Sequence, residues 1–116
     1  AMKKISKKQA EIKRRLQKVY NIIAESNERR CTGCGRYYNE VPLSFSHIIP
    51  RSRRSDLITD INNITFHCLS LGGIGCHEIW ENGTIDEKMM LLDYDKNMSY
   101  IREVDKEYYE LLKLKE

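Results

Sequence analysis

Four cysteines, two histidines and an asparagine fall in one stretch of the chain, and these residue types hold metals and move protons. They are Cys31, Cys34, His47, Asn63, Cys68, Cys76 and His77. Two pairs of cysteines suit a structural zinc ion, which asks for four sulfurs in a tetrahedron and leaves no vacant position. Any chemistry would therefore fall to the two histidines and the asparagine.

The two cysteine pairs differ in spacing. The first is a tight CxxC turn, in which Gly33 and Gly35 give the backbone freedom to wrap an ion. The second is interrupted by seven residues instead of the usual two to four, but three glycines would let that loop bulge out: Gly72, Gly73 and Gly75. Two disulfides, or four unrelated buried thiols, are the alternatives that remain open. The chain starts without a secretory signal, so we expect the reducing cytoplasm and free thiols.

Length and composition predict one soluble domain. The 116 residues leave no room for two cores, and no apolar run approaches the ~20 residues of a membrane span. Residues 1–54 carry 14 Lys or Arg against 4 Asp or Glu, whereas residues 55–116 carry 6 against 13. A basic half beside an acidic half suggests a face for a polyanion, although two solvated surfaces of opposite sign would give the same pattern.

The elements that must position these residues fall into three segments: 6–26, 30–83 and 84–116. The first predicts an amphipathic helix with Ser6 as N-cap, whose basic face could follow phosphates or simply be solvated. Its apolar face comprises Ile12, Leu16, Val19, Tyr20 and Ile23.

The central segment predicts a strand at 43–49 that ends at Pro50, a loop at 51–62 and a returning strand at 64–67 that delivers Cys68. A short helix should start near Gly75 and end at Asn82-Gly83. In the last segment, Thr84 and Glu87 form a capping box for a helix that reaches residues 89–92, and Ser99 is the predicted cap of a final helix. The buried face of the last helix should comprise Ile101, Val104, Tyr108, Leu111 and Leu112.

The central segment resembles the HNH endonuclease family, which has the ββα-metal fold. The resemblance covers roughly residues 31–82 and is carried by Cys31-Thr-Gly-Cys34, Ser46-His-Ile-Ile-Pro-Arg51, Asn63-Ile-Thr-Phe-His-Cys68 and Cys76-His-Glu-Ile-Trp80. It implies an α+β fold: a small ββα-metal unit with a four-cysteine zinc site, flanked by N-terminal and C-terminal helices. It also implies a metal-dependent endonuclease that hydrolyses DNA, of a type common in phages, acting in the host cytoplasm if phage-encoded.

The same resemblance assigns roles to three residues. His47 would be the general base, Asn63 would hold the loop, and His77 would ligate the catalytic ion. Many family members have Asp, His or Glu just before the base histidine, but this chain has Ser46, whose hydroxyl is a poor metal ligand. Four residues after His77 on the same helical face lies Glu81, so we expect Mg²⁺ or Mn²⁺ at His77 and Glu81. Asp60 or Asn63 could supplement them, and the imidazoles of 47 and 77 should line opposite walls of one cleft.

Four arginines near this motif are candidate contacts to the DNA backbone: Arg36, Arg51, Arg53 and Arg54. Several alternatives stay open. His77 could complete the zinc site in place of a cysteine, Glu81 could be merely solvated, and Trp80 fits a core better than a base-stacking platform. Because of Ser46, the function could also be that of a non-catalytic zinc-ribbon module that binds nucleic acid. A homodimer and a phage protein partner are further open questions.

Overall fold

Helices precede and follow a two-stranded antiparallel hairpin in the computed structural model, which describes residues 6–70 and 74–116. The elements are α1 Lys7–Ser26, β1 Leu43–His47, β2 Ile64–Cys68, α2 Cys76–Asn82, α3 Ile85–Met89, α4 Tyr94–Val104 and α5 Lys106–Lys113. Two 3₁₀ turns, Ser55–Leu57 and Ile61–Asn63, lie in the loop between the strands. The α+β class is therefore as predicted. Gly72 and Gly73, which were expected to let the loop before Cys76 bulge, lie outside the described residues.

Helix α1 covers one face of the hairpin. Ser6 caps it through a capping box with Gln9, as the sequence predicts. Its buried stripe includes Leu16 and packs against the apolar side chains of β2, while the ring of Tyr20 stacks on Phe45 at 4.0 Å between centroids. The lysines and arginines of α1 are exposed. The predicted amphipathic pattern thus anchors the hairpin from one side.

The strands separate an apolar face from a polar one because their side chains alternate. The register pairs Phe45 with Phe66 on the face toward α1, and Ser46 with Thr65 on the face toward α2. The predicted first strand extended to Ile49, but the ladder ends at His47. Beyond it, the Asn63 side chain accepts from the Ile49 N–H, and the Trp80 indole donates to the carbonyls of residues 47 and 48.

The C-terminal segment departs from the prediction. The helix expected to begin at Ser99 is two helices, since α4 already begins at Tyr94 and breaks at Asp105. Asp105 leaves the helical conformation at φ −150° and ψ 74°, and its carboxylate caps α5 by accepting from the Tyr108 N–H. Leu111 is exposed and does not join the buried face, whereas Leu112 does. The short helix α3 ends at Met89, before the predicted range 89–92 is complete.

A second core lies between the cysteines, α2 and the C-terminal helices. Its buried members include Ile49, Trp80, Met98, Ile101 and Leu112. Trp80 is therefore a core residue, as expected. Across residues 6–70 and 74–116, none of the helices combines the length and the apolar character needed to cross a membrane.

Candidate functional site

The four cysteine sulfurs converge. Cys31 and Cys34 come from the turn after α1, Cys68 ends β2 and Cys76 begins α2. All four Sγ atoms lie within 4.8 Å of one another, and those of Cys34 and Cys68 are 3.7 Å apart. A zinc–sulfur bond of about 2.3 Å implies tetrahedron edges of roughly 3.8 Å, so the cluster could hold zinc. A disulfide needs about 2.05 Å, and all four cysteines are free, so neither paired disulfides nor scattered thiols describe this site.

Two glycines of the CxxC turn are required by its geometry. A Cβ on Gly33 would come within 2.9 Å of the Cys76 side chain, and Gly35 has φ +84°, which side-chain-bearing residues rarely adopt. Backbone N–H groups of Gly33 and Cys68 donate to the Cys31 sulfur at 3.3 and 3.2 Å. The turn therefore wraps around its sulfur in the manner expected of a metal-binding loop.

Thiols of the cluster shift one another's pKa. A hydrogen bond from Cys76 is the main reason why the pKa of the Cys31 thiol falls to about 4. The same contact, with burial and the neighbouring sulfurs, raises the pKa of Cys76. Four adjacent thiols thus cannot all ionise together unless a cation offsets their repulsion, and a divalent metal would do so.

His47 is buried at the end of β1 with one ring nitrogen fixed. Its Nε2 lies 2.9 Å from the carbonyl oxygen of Ile58. A carbonyl can only accept, so Nε2 carries the hydrogen and Nδ1 of the neutral ring keeps the lone pair. Burial lowers the pKa of His47, and nearby Arg51 acts in the same direction, while the Ile58 carbonyl and Glu81 partly oppose them. The ring is therefore neutral near pH 7 and able to accept a proton.

Asn63 braces the loop that follows His47. It is fully buried, and its Oδ1 accepts from the Ile49 N–H at 2.7 Å. Its Nδ2 donates to the carbonyls of Ile49 and Leu57 at 3.2 and 3.1 Å. The loop-holding geometry expected of Asn63 is thus present. All its polar atoms are engaged, so it is not available as the supplementary metal ligand that the sequence suggested.

His77 lies on α2 against the polar face of the hairpin. Its Nδ1 is 2.9 Å from the hydroxyl of Ser46, which also lies 3.0 Å from Nδ1 of His67. The four cysteines assemble without His77, so it does not replace a sulfur in the zinc-type cluster. Ser46, expected only as a weak substitute for a ligand, instead joins two imidazoles.

The cavity beside His47 is small, about 30 Å³, and its lining includes Trp80, Glu81, Lys88 and Tyr108. Ser46 and His47 are consecutive on β1, so their side chains leave opposite faces, and Ser46 faces His77. His77 is not among the residues that line this cavity, whereas Glu81, one helical turn further along α2, is. Lys88 was not predicted as a site residue, and burial lowers its pKa.

The predicted catalytic-ion site is only partly assembled. Within the described ranges, the cysteines are the one group of three or more His, Cys, Asp or Glu side chains close enough to hold a metal. Asp60 accepts from the Tyr100 hydroxyl at 2.8 Å and caps a 3₁₀ turn, so it is not a free ligand. His77 and Glu81 remain one turn apart on α2. Two protein ligands suit a Mg²⁺ site in which phosphate and water supply the remaining ligands.

The loop arginines divide into two kinds. Arg53 pairs with Asp105 at 2.9 Å and stacks over the ring of Tyr108, and Arg54 pairs with Asp56 and donates to the Val104 carbonyl. Both guanidinium groups thus have carboxylate partners in the protein while their side chains stay partly exposed, and their contact to phosphate stays a prediction. Asp105 comes from the acidic C-terminal segment, and Asp56 belongs to the loop itself.

Arg51 and Arg36 are exposed and remain candidates for phosphate contact. Arg51 makes one long hydrogen bond, 3.4 Å, to the hydroxyl of Tyr20 on α1. It therefore stands between His47 and the exposed basic side chains of α1. Arg36 lines a groove of about 790 Å³ on the other side of the cysteines.

Sequence reasoning missed Asp93. Its buried carboxylate accepts from Nε2 of His67 at 2.8 Å and from the Thr32 hydroxyl at 2.7 Å. Burial raises the pKa of Asp93, but the hydrogen bonds from His67 and Thr32 outweigh it and leave the pKa below its ordinary value. His67 is therefore a structural residue. Asp93 lies outside the recognised motif, and no local pattern marked it.

Comparisons with protein-family models, with curated proteins and with solved structures find no match to this chain.

Proposed function

We propose that the protein is a metal-dependent endonuclease of the HNH type, which hydrolyses phosphodiester bonds of DNA with His47 as the general base. The observation that carries the proposal is the ring of His47, whose Nε2 is fixed on the Ile58 carbonyl so that Nδ1 is the basic nitrogen. Burial favours the neutral ring, which is the form that takes a proton from water. The residue resemblance to the HNH motif supplies the reaction class.

The neighbouring residues support this reading by their chemistry. Asn63 holds the backbone that carries His47 and would keep the ring in place during turnover. Lys88 adds a positive charge beside the cavity, and the exposed Arg51 is near enough to His47 to contribute to the lowering of its pKa. His77 and Glu81 would hold Mg²⁺ or Mn²⁺, and such an ion supplies Lewis-acid stabilisation of the phosphate and leaving oxygens. The cysteine cluster would hold a structural zinc ion.

A non-catalytic zinc-ribbon module that binds nucleic acid is the second candidate. Two observations favour it: the cavity at His47 is only about 30 Å³, and the described residues assemble no complete second metal cage. The exposed basic side chains of α1 with Arg51 would serve binding alone equally well.

Supercoiled plasmid separates the two functions. Zinc-loaded protein is incubated with plasmid and either Mg²⁺ or Mn²⁺, beside His47→Ala and the matched control Asn62→Ala, an exposed residue of the same hairpin. We expect nicking by the wild type and the control, and a loss of about 100-fold or more in His47→Ala, as for removal of a general base. Retarded plasmid with no nicking in any divalent ion would refute the nuclease and support the binding module.

A further inference from the structure

An unbroken chain of hydrogen bonds runs from a buried carboxylate to the ring of His77. Asp93 Oδ2 lies 2.8 Å from His67 Nε2, His67 Nδ1 lies 3.0 Å from Ser46 Oγ, and Ser46 Oγ lies 2.9 Å from His77 Nδ1. The chain crosses from the turn before α4, through β2 and β1, to α2. It links four residues that are far apart in sequence.

The inner members of the chain are sealed from water. Ser46 and His67 are 0% exposed and Asp93 is 5% exposed. Burying three polar side chains costs free energy that apolar residues in the same places would avoid. The hydrogen bonds along the chain offset that cost, with further contacts from Thr32 to Asp93 and from Thr65 to His67. The chain therefore fixes the rotamer of each member, including the ring of His77 at its outer end.

The other ring nitrogen of His77 faces outward. In the part of the chain that the structure describes, Nε2 of His77 has no hydrogen-bond partner, and it is not one of the buried polar atoms that lack one. It is therefore accessible to solvent. A histidine held by one nitrogen with the other exposed is the usual arrangement of a metal ligand supported from behind.

We propose that Asp93, acting through His67 and Ser46, is a positioning residue that turns Nε2 of His77 outward as a preset ligand atom for a divalent cation. The role of that cation in hydrolysis rests on the proposed function, but the positioning does not. Ser46 then has a defined purpose at the place where the HNH motif often has a metal-ligating side chain: it supports the ligand His77 without contacting the ion itself.

Cation binding by the zinc-loaded protein tests the proposal. Free Mn²⁺ is measured by electron paramagnetic resonance during titration of wild type, Ser46→Ala, Asp93→Asn, His77→Ala and the control Ser44→Ala. Ser44 lies two residues before Ser46 on the same strand face and makes no side-chain hydrogen bond within the described ranges. We expect Ser46→Ala and Asp93→Asn to weaken Mn²⁺ binding by about 10- to 100-fold, His77→Ala to abolish it, and Ser44→Ala to leave it unchanged.

A second readout separates positioning from general damage to the fold. Long-range ¹H–¹⁵N correlation spectra of the Mn²⁺-free protein report which nitrogen of His77 carries the hydrogen. We expect one tautomer in the wild type and in Ser44→Ala, and a mixture of two in Ser46→Ala, with zinc content and circular dichroism unchanged. If Asp93→Asn does not fold, Ser46→Ala decides the question.

Unchanged Mn²⁺ affinity in Ser46→Ala or in His77→Ala would overturn the proposal. Failure of the nuclease would look different. Plasmid would stay intact while Mn²⁺ still bound at His77 and weakened on substitution of Ser46, and in that case the positioning role would stand.

Discussion

Replacing Asn63 with alanine should be among the most destabilising single changes in this chain. The side chain is 0% exposed and makes three hydrogen bonds to backbone, one as acceptor from Ile49 and two as donor to Ile49 and Leu57. Alanine would leave the Ile49 N–H buried without a partner. It would also release the loop that carries the Ile58 carbonyl, on which the His47 ring rests.

The expected loss follows from these bonds. A buried donor left without a partner costs about 1–3 kcal/mol, and each of the other two bonds contributes about 1 kcal/mol. The free energy of unfolding should therefore fall by about 3–5 kcal/mol, a large part of the roughly 5–15 kcal/mol typical of a folded domain. The neighbouring Asn62 is exposed, so Asn62→Ala should change the free energy of unfolding by less than about 0.5 kcal/mol.

Urea unfolding of the zinc-saturated proteins, followed by circular dichroism, measures the difference. With a slope of about 2 kcal/mol per molar urea, the midpoint of Asn63→Ala should lie about 2 M below that of the wild type. Equal midpoints for the two variants would show that the hydrogen bonds of Asn63 do not hold the loop.

Three further predictions concern the metal, the arginines and acid. Chelation of zinc, or Cys34→Ser, should reduce bound zinc from about one per chain and lower the thermal midpoint, as measured by elemental analysis and circular dichroism; a chelated protein with an unchanged midpoint would contradict a structural metal. Arg53→Ala should lower the urea midpoint because it breaks the ion pair with Asp105. Arg51→Ala should leave the urea midpoint unchanged and reduce the slope of log affinity for DNA against log salt concentration by about one. The hydrogen bond from the Arg53 guanidinium is the main cause that lowers the pKa of Asp105 in the folded protein. The ionised carboxylate therefore adds stability above its unfolded pKa of about 3.9. That stability is lost as the pH falls through the lower pKa of the folded state. Asp105→Asn should therefore lose less stability than the wild type between pH 6 and pH 3. Parallel curves of unfolding free energy against pH for the two proteins would count against the ion pair of Arg53 and Asp105.

Local sequence patterns predicted much of the fold. The spacing of Leu16 and Ile23 marked the face of α1 that the hairpin covers, and Ser6 with Gln9 formed the cap. Two cysteine pairs converge although the second is interrupted, because β2 and α2 bring Cys68 and Cys76 to the same place. Such signals are readable because helix period, strand alternation and caps depend on residues close together in the chain.

Long-range polar pairing could not be read in the same way. Asp105 breaks the C-terminal helix and binds Arg53, a residue 52 positions away, so a run of apolar residues that suggested one helix became two. The carboxylate of Asp93 meets Thr32 across 61 positions. Partners so distant leave no periodic trace, and a polar residue destined for burial is indistinguishable in the sequence from a solvated one.

The contacts of Asp93 also mean that the recognisable motif is not self-sufficient. A fragment excised at residue 83 would keep every cysteine and both candidate site histidines, yet it would strip the acidic partner from His67 and Thr32. It would also lose the Leu92 N–H that donates to the Gly33 carbonyl in the CxxC turn. Residues 84–116 thus complete the hydrogen bonding of the metal-binding half, and minimal versions of this protein should be designed with that segment retained.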